Sequence, residues 1–207
     1  MTTPDIIGGA TPEEIARWIA RRLARELERD GAPIAITVPG GTTPFPIMER
    51  LVTHDLDWSR VTVWPNDDRV VAEDHPASNT GKLRAIFEPV GAEVVTLTVM
   101  EQVPRFALAW LGMGADGHTA SLFPNTDPKV SESAPIRRLT PDPLPPEAPF
   151  DRVTLTLPSL LASEEIVFTL GGSADKRAVF EAALAGENDL PVARLLSAAR
   201  QPVTCFA

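Results

Sequence analysis

Ile15, Trp18, Ile19, Leu23 and Leu27 recur at the spacing of one helical face. Thr11-Pro-Glu-Glu14, just ahead of them, supplies a helix start. It offers a threonine N-cap, a proline at the first helical position and a glutamate at the third. Arg17, Arg21, Arg22, Arg25 and Arg29 fill much of the other face, laced with Glu26 and Glu28, and read as a solvated surface. Asp30-Gly31 stops the helix. Short apolar runs then alternate with helical patterns. Strands are predicted over Pro33–Val38, Arg60–Trp64, Val94–Val99, Phe106–Leu111, Asp151–Leu157 and Ile166–Leu170. Helices are predicted around Ile47, Met48 and Leu51, from Ser78-Asn79 to Phe87, over Ala174–Leu184 and over Pro191–Ala199. Residues 125–150 are rich in proline and read as loop with one short strand.

Strands alternating with helices predict an α/β chain with a mostly parallel sheet covered on both faces. In such sheets ligands bind beyond the carboxyl ends of the strands. The polar clusters of this chain fall at those ends. A length of 207 residues fits a single domain over 1–207. The net charge of −9 and the lack of a basic stripe argue against a nucleic-acid partner. One local cluster of cations and backbone N–H groups still suffices to hold one phosphate. With Cys205 as the single cysteine, no intramolecular disulfide can form, which fits a reducing, cytoplasmic compartment. The N-terminus reads as neither a signal peptide nor a membrane span, so no membrane partner is expected.

The run Leu111-Gly-Met-Gly-Ala-Asp-Gly-His-Thr-Ala-Ser-Leu-Phe-Pro124 is the densest in chemistry. A buried strand there feeds Gly112, Gly114 and Gly117, which bare backbone N–H groups and let a ligand approach. Asp116 and His118 stand in the same turn. A carboxylate beside an imidazole at a glycine-rich strand end reads as a catalytic pair. Gly112 to Gly117 also satisfies the dinucleotide fingerprint G-x-G-x-x-G. Pro124 closes the next segment after barely two turns, and Asp127 and Glu132 lie in loop, so the context of that fingerprint is absent. Ser121 is expected inside the short helix of that segment and lacks a G-x-S-x-G setting, against a serine esterase.

Gly40, Gly41, Thr42 and Thr43, between a strand and a helix, make a phosphate cradle without the lysine of a P-loop. Asp67-Asp68-Arg69 follows another strand, and an arginine can grip a phosphate or carboxylate with two parallel hydrogen bonds. Arg152 opens a strand and Lys176 stands at the start of a helix after Gly171-Gly172. No acidic or histidine spacing matches a known zinc or calcium loop, and no metal or other cofactor is expected. His54 reads as a surface turn residue.

Together these stretches resemble the 6-phosphogluconolactonase family, within the group that includes glucosamine-6-phosphate deaminases. The family pattern GGSTP stands as Gly40-Gly-Thr-Thr-Pro44, and DER-x-VP…SN as Asp67-Asp-Arg-Val-Val71…Ser78-Asn79. LGMGxDGHTASLFP is intact from Leu111 to Pro124, and R-[IV]-T-L-T stands at Arg152 to Thr156. The deaminase pattern continues after DGH as IAFNEP, so Thr119 to Pro124 favours the lactonase. Departures are Thr42 for Ser, Asp68 for Glu, Val71 for Pro, Ala107 for Asp, and a Lys176 spacing longer by one residue. The segment between Phe87 and Arg105 is short and lacks room for a helix.

The resemblance implies a three-layer α/β/α, Rossmann-like fold. It implies hydrolysis of 6-phosphoglucono-1,5-lactone to 6-phosphogluconate in the oxidative pentose phosphate pathway, with a phosphorylated sugar lactone as the small-molecule substrate and a monomer or small homo-oligomer. A lactone is an activated ester, so one positioned base suffices. Histidine, with a reference pKa of about 6.5, suits that task. His118 is assigned as the base that activates water and Asp116 as its orienting partner. Backbone N–H groups near Gly112–Gly114 or Gly40-Gly41 are candidates for oxyanion stabilisation. Arg69, Arg152 and Lys176, with Asp67, Ser78 and Asn79, are assigned to the phosphate and the sugar hydroxyls. An amino-sugar-phosphate deaminase or isomerase, and a non-catalytic sugar-phosphate binder on the same scaffold, are the alternative readings.

Overall fold

A computed structural model of the protein describes residues 4–144, 146 and 148–207; Met1–Thr3, Pro145 and Glu147 lie outside the described residues. The polypeptide runs β1 (Asp5–Ile7), α1 (Pro12–Asp30), β2 (Ile34–Val38), α2 (Pro44–Leu51), β3 (Val61–Pro65), β4 (Asp67–Arg69), α3 (Asn79–Phe87), β5 (Glu93–Val94), β6 (Leu108–Leu111), β7 (Ile136–Leu139), β8 (Arg152–Leu155), α4 (Leu157–Leu161), β9 (Ile166–Thr169), α5 (Ala174–Leu184), α6 (Pro191–Ala198) and β10 (Val203–Phe206). The first helix is capped as its sequence dictates. Thr11 and Glu14 close a reciprocal capping box, and Gly31 ends the helix in the left-handed region at φ 71°.

Seven strands form a parallel sheet in the order β1-β10-β9-β6-β2-β3-β5. The chain winds outward from β2 through β3 to β5, then returns to β6 and proceeds through β9 and β10. The crevice between β2 and β6 is therefore the switch point where α/β sheets bind ligands. The central strands are mostly apolar because both faces are covered, with threonines such as Thr37 and Thr169 satisfied by internal hydrogen bonds. In β6, Leu108 and Trp110 enter the core packed by α1, α2 and α3, while Ala109 and Leu111 enter the core packed by α4, α5 and α6. The one hydrogen-bond donor of the buried Trp110 ring reaches Thr169 Oγ1 at 3.0 Å.

A second sheet, antiparallel and ordered β4-β8-β7, stands over the carboxyl ends of the first. The two sheets join at Asn66, which is fully buried. Its N–H continues the β2–β3 ladder by donating to Val38, and its carbonyl opens the β4–β8 ladder by accepting from Leu155. Its side chain accepts from Thr37 Oγ1 at 2.7 Å and donates to the Trp110 carbonyl at 2.9 Å. One residue thus satisfies both of its backbone and both of its side-chain functions on β2, β6 and β8.

Most predicted elements are present with their ends shifted by one or two residues. The segment expected as a strand over Val94–Val99 pairs only at Glu93–Val94. Beyond it Thr96 turns its hydroxyl to Glu73 and Arg84, and Val99 is exposed, so the chain leaves the sheet. The connection from there to β6 carries no helix. Leu157 does not extend β8 but begins the short α4. The helix expected around Ser121 is replaced by a tight turn with an isolated bridge between Thr119 and Leu122. Thr119 Oγ1 donates to Gly112, and Ser121 N–H donates to Thr154 Oγ1, which draws the backbone out of the helical register.

Asn66→Leu should lower the unfolding free energy by about 2–4 kcal/mol, because it strands a buried hydroxyl and a buried carbonyl. Urea unfolding measures this; a loss under about 0.5 kcal/mol would mean the two sheets hold together without the amide.

Candidate active site

A cleft of 480 Å³ opens at the switch point between the two sheets. The parallel sheet supplies Pro39 to Thr43 after β2, Gly112 to Gly114 after β6, and Lys176 from α5 after β9. The antiparallel sheet supplies Asp67, Arg69 and Arg152, and Asn79 joins them from the start of α3. Among the assigned residues Gly40, Gly41, Thr42, Thr43, Asp67, Arg69, Asn79, Gly112, Gly114, His118, Arg152 and Lys176 all line this cleft. The longer spacing before Lys176 is absorbed by Gly171 and Gly172, both at positive φ, ahead of the Ser173 N-cap.

Three assigned residues stand elsewhere. Ser78 is buried as the N-cap of α3, accepting from Gly81 and donating to Asp68, so it faces no cleft. Gly117 packs beneath the Leu190 side chain, and Asp116 touches the cleft only through His118. Sequence reasoning missed the role of Asp68. The two-residue period of β4 sends Asp67 and Arg69 to the cleft and Asp68 to the opposite side. There the Asp68 carboxylate accepts from the backbone N–H groups of Arg69, Asn79 and Thr80. A carboxylate on the orphan amides of α3 is favoured by both hydrogen bonding and the helix dipole.

His118 Nδ1 lies 2.5 Å from Asp116 Oδ1, and the His118 backbone N–H donates to the same oxygen at 3.2 Å. A proton on Nδ1, donated to the carboxylate, leaves Nε2 as the free basic nitrogen. The imidazole packs on Phe123 with ring centroids 4.9 Å apart. Gly114 is required beneath this pair: a Cβ there would meet His118 Nδ1 at 2.2 Å and Asp116 Oδ1 at 2.6 Å. Gly40 is required for the same kind of reason, since a Cβ would sit 2.2 Å from Asn79 Oδ1. Ala120, in the cleft wall, holds the left-handed region at φ 51°, a strain of about 1 kcal/mol or more for a residue with a side chain.

Ser121 does not pair with His118. Its hydroxyl donates to Asp67 Oδ2 at 2.5 Å. Burial pushes the Asp67 carboxyl above the ordinary carboxylate range, against the pull of Ser121 and of the Arg69 charge. Arg69 and Arg152 are directly opposed across β4 and β8. Burial and the facing Arg69 charge both hold the Arg152 guanidinium below its usual value. Two opposed cations repel, so this wall favours an anion in the cleft. Among the described residues no group of three or more His, Cys, Asp or Glu side chains is placed to hold a metal ion. Among the described residues no helix is long and apolar enough to cross a membrane.

The profile of the family described as glucosamine-6-phosphate isomerases/6-phosphogluconolactonase matches residues 9–90 and 90–204. The chain belongs to this family. A 6-phosphogluconolactonase of Pseudomonas putida is 34% identical over 197 residues, covering 85% of this chain and 79% of its own. One from Helicobacter pylori is 31% identical over 194 residues, covering 84% and 83%. Among solved structures, a 6-phosphogluconolactonase from Shewanella baltica superposes with a TM-score of 0.83 at 27% identity, over 98% of this chain and 97% of that one. A monomeric glucosamine-6-phosphate deaminase shares the fold, with a TM-score of 0.76 at 16% identity over 98% and 96%.

The His118 hydrogen bond holds the Asp116 carboxyl below the ordinary carboxylate range, with burial opposing. The pair therefore adds stability above the unfolded value of about 3.9, and that stability is lost as pH falls through the depressed native value. His118→Ala should raise the Asp116 titration midpoint toward the ordinary range, read by carboxyl-carbon NMR. An unchanged midpoint would show that the imidazole does not hold Asp116.

Proposed function

We propose that this protein hydrolyses 6-phosphoglucono-1,5-lactone to 6-phosphogluconate, with His118 as the general base. The observation that carries the reading is the His118–Asp116 pair in one cleft with an arginine wall and a glycine-rich loop. Family membership and the lactonase relatives support the substrate class. The Asp116 carboxylate holds the Nδ1 proton, and Nε2 takes a proton from water as its oxygen attacks the lactone carbonyl carbon. The tetrahedral alkoxide collapses and the bond to the ring oxygen breaks. The imidazolium returns the proton to that oxygen, leaving an open-chain carboxylic acid that ionises in solvent. Backbone N–H groups of Gly112–Gly114 or Gly40-Gly41 stabilise the alkoxide, in the manner of other acyl-transfer sites. The phosphate binds among the loop Gly40–Thr43, Arg69, Arg152 and Lys176, and Asp67 and Asn79 accept or donate to sugar hydroxyls. Pro44 and Pro46 lack N–H groups, so the first turn of α2 offers the Phe45 N–H and the preceding loop supplies further donors. Asp67 is fixed at the cleft edge by the Ser121 hydroxyl that donates to it.

The test generates the lactone in place with glucose-6-phosphate dehydrogenase and follows product with excess 6-phosphogluconate dehydrogenase. Turnover above the spontaneous rate is expected. Its absence, with ammonia released from glucosamine-6-phosphate, would move the chain to the deaminase side of the family. His118→Ala should lower kcat by about 10²–10⁴-fold while 6-phosphogluconate still binds; an unimpaired variant removes His118 from the mechanism. Arg69→Ala should act mainly on KM, and a normal KM would make Arg69 structural.

A further inference from the structure

The opposed guanidiniums of Arg69 and Arg152 are steered by backbone carbonyls from two separate loops. Arg69 Nη1 donates to the Ala77 carbonyl at 2.8 Å, in the loop after β4. Arg152 donates from Nη1 to the Phe150 carbonyl at 2.6 Å and from Nη2 to the Ala148 carbonyl at 2.8 Å, in the loop before β8. The two loops meet at a pair of rings. His75 stands edge-on to Phe150, with centroids 5.2 Å apart and planes at 76°, the geometry that aromatic quadrupoles favour. The same imidazole accepts the Ala77 N–H at Nδ1, at 3.0 Å. Ala77 is thus held through its N–H by His75 and holds Arg69 through its carbonyl, while Phe150 carries a carbonyl that holds Arg152.

We propose that His75 and Phe150 form a clasp that positions Arg69 and Arg152 together for the anionic end of the ligand. They are positioning residues, since neither ring lines the cleft. A guanidinium gives its planar fork to an anion at full strength only when its orientation is fixed beforehand. Two facing guanidiniums left to themselves swing apart. The clasp removes that freedom for both at once, by tying the two loops that hold them. The inference rests on the reading of the cleft as a sugar-phosphate site.

Two binding probes, 6-phosphogluconate and inorganic phosphate, are titrated calorimetrically into the wild type, His75→Ala, Phe150→Ala and Phe150→Tyr, alongside lactone kinetics. Each alanine variant should weaken both probes and raise KM by about tenfold, with kcat within about twofold. Phe150→Tyr, which keeps the aromatic ring against His75, should match the wild type. In an Arg69→Ala background, Phe150→Ala should cost less than it does alone, because the two residues act as one unit. Unchanged affinity for both probes in both alanine variants overturns the clasp. So does a full, additive loss in the Arg69→Ala background, which would make the rings merely structural. A wild type that binds both probes yet turns over no lactone defeats the proposed function and leaves the binding comparison to judge the clasp. A wild type that binds neither defeats both.

Discussion

The buried amide of Asn66 is the constraint on which the site depends. A parallel sheet by itself offers a crevice with one wall. Here β3 passes straight into β4 through a single residue, and that residue is bonded to β2, β6 and β8 at once. The hinge fixes the direction of β4, and the two-residue period of the strand does the rest. Asp67 and Arg69 fall toward the crevice, and Asp68 falls toward the start of α3. The second wall, its charge and the position of Asn79 all descend from that one geometry. A buried polar group with every function satisfied is costly to disturb, which is why so small a junction can hold two sheets in register.

Close approach is the second determinant. Gly114 lies against the His118–Asp116 pair, and Gly40 lies against the Asn79 amide. Each leaves room for a polar contact where any side chain would intrude. The turn that follows accepts backbone strain at Ala120 and ties itself back through Thr119 and Ser121. The imidazole is thereby delivered on a turn anchored to Gly112 and Thr154. Its neighbour carboxylate fixes which nitrogen is basic. Across the cleft the same logic runs through carbonyls that orient the arginines.

Much of this was legible in the sequence. Long apolar runs such as Leu108–Leu111 and Ile166–Thr169 declare buried strands, and Thr11 to Glu14 declares a helix start. The motif around His118, the glycine loop and the separate cations announced most of the cleft. The short strands β1, β4 and β10 were not read. Asp67–Arg69 carries no apolar period, and its pairing with β8 is a tertiary fact. Ser78 and Asp68 illustrate the same limit. Both are polar residues beside a helix start, and only the fold decides that Asp68 takes the amides while Ser78 supports the cap. The turn at Ser121 is shaped by hydrogen bonds to Gly112 and to the distant Thr154 hydroxyl, which leave no trace in local periodicity.

A crystal structure of the protein with 6-phosphogluconate bound tests the account most directly. The account predicts the product carboxylate within hydrogen-bonding reach of His118, and the phosphate among the loop Gly40–Thr43, Arg69, Arg152 and Lys176. A carboxylate turned away from His118, with the imidazole contacting no part of the reacting end, would contradict it.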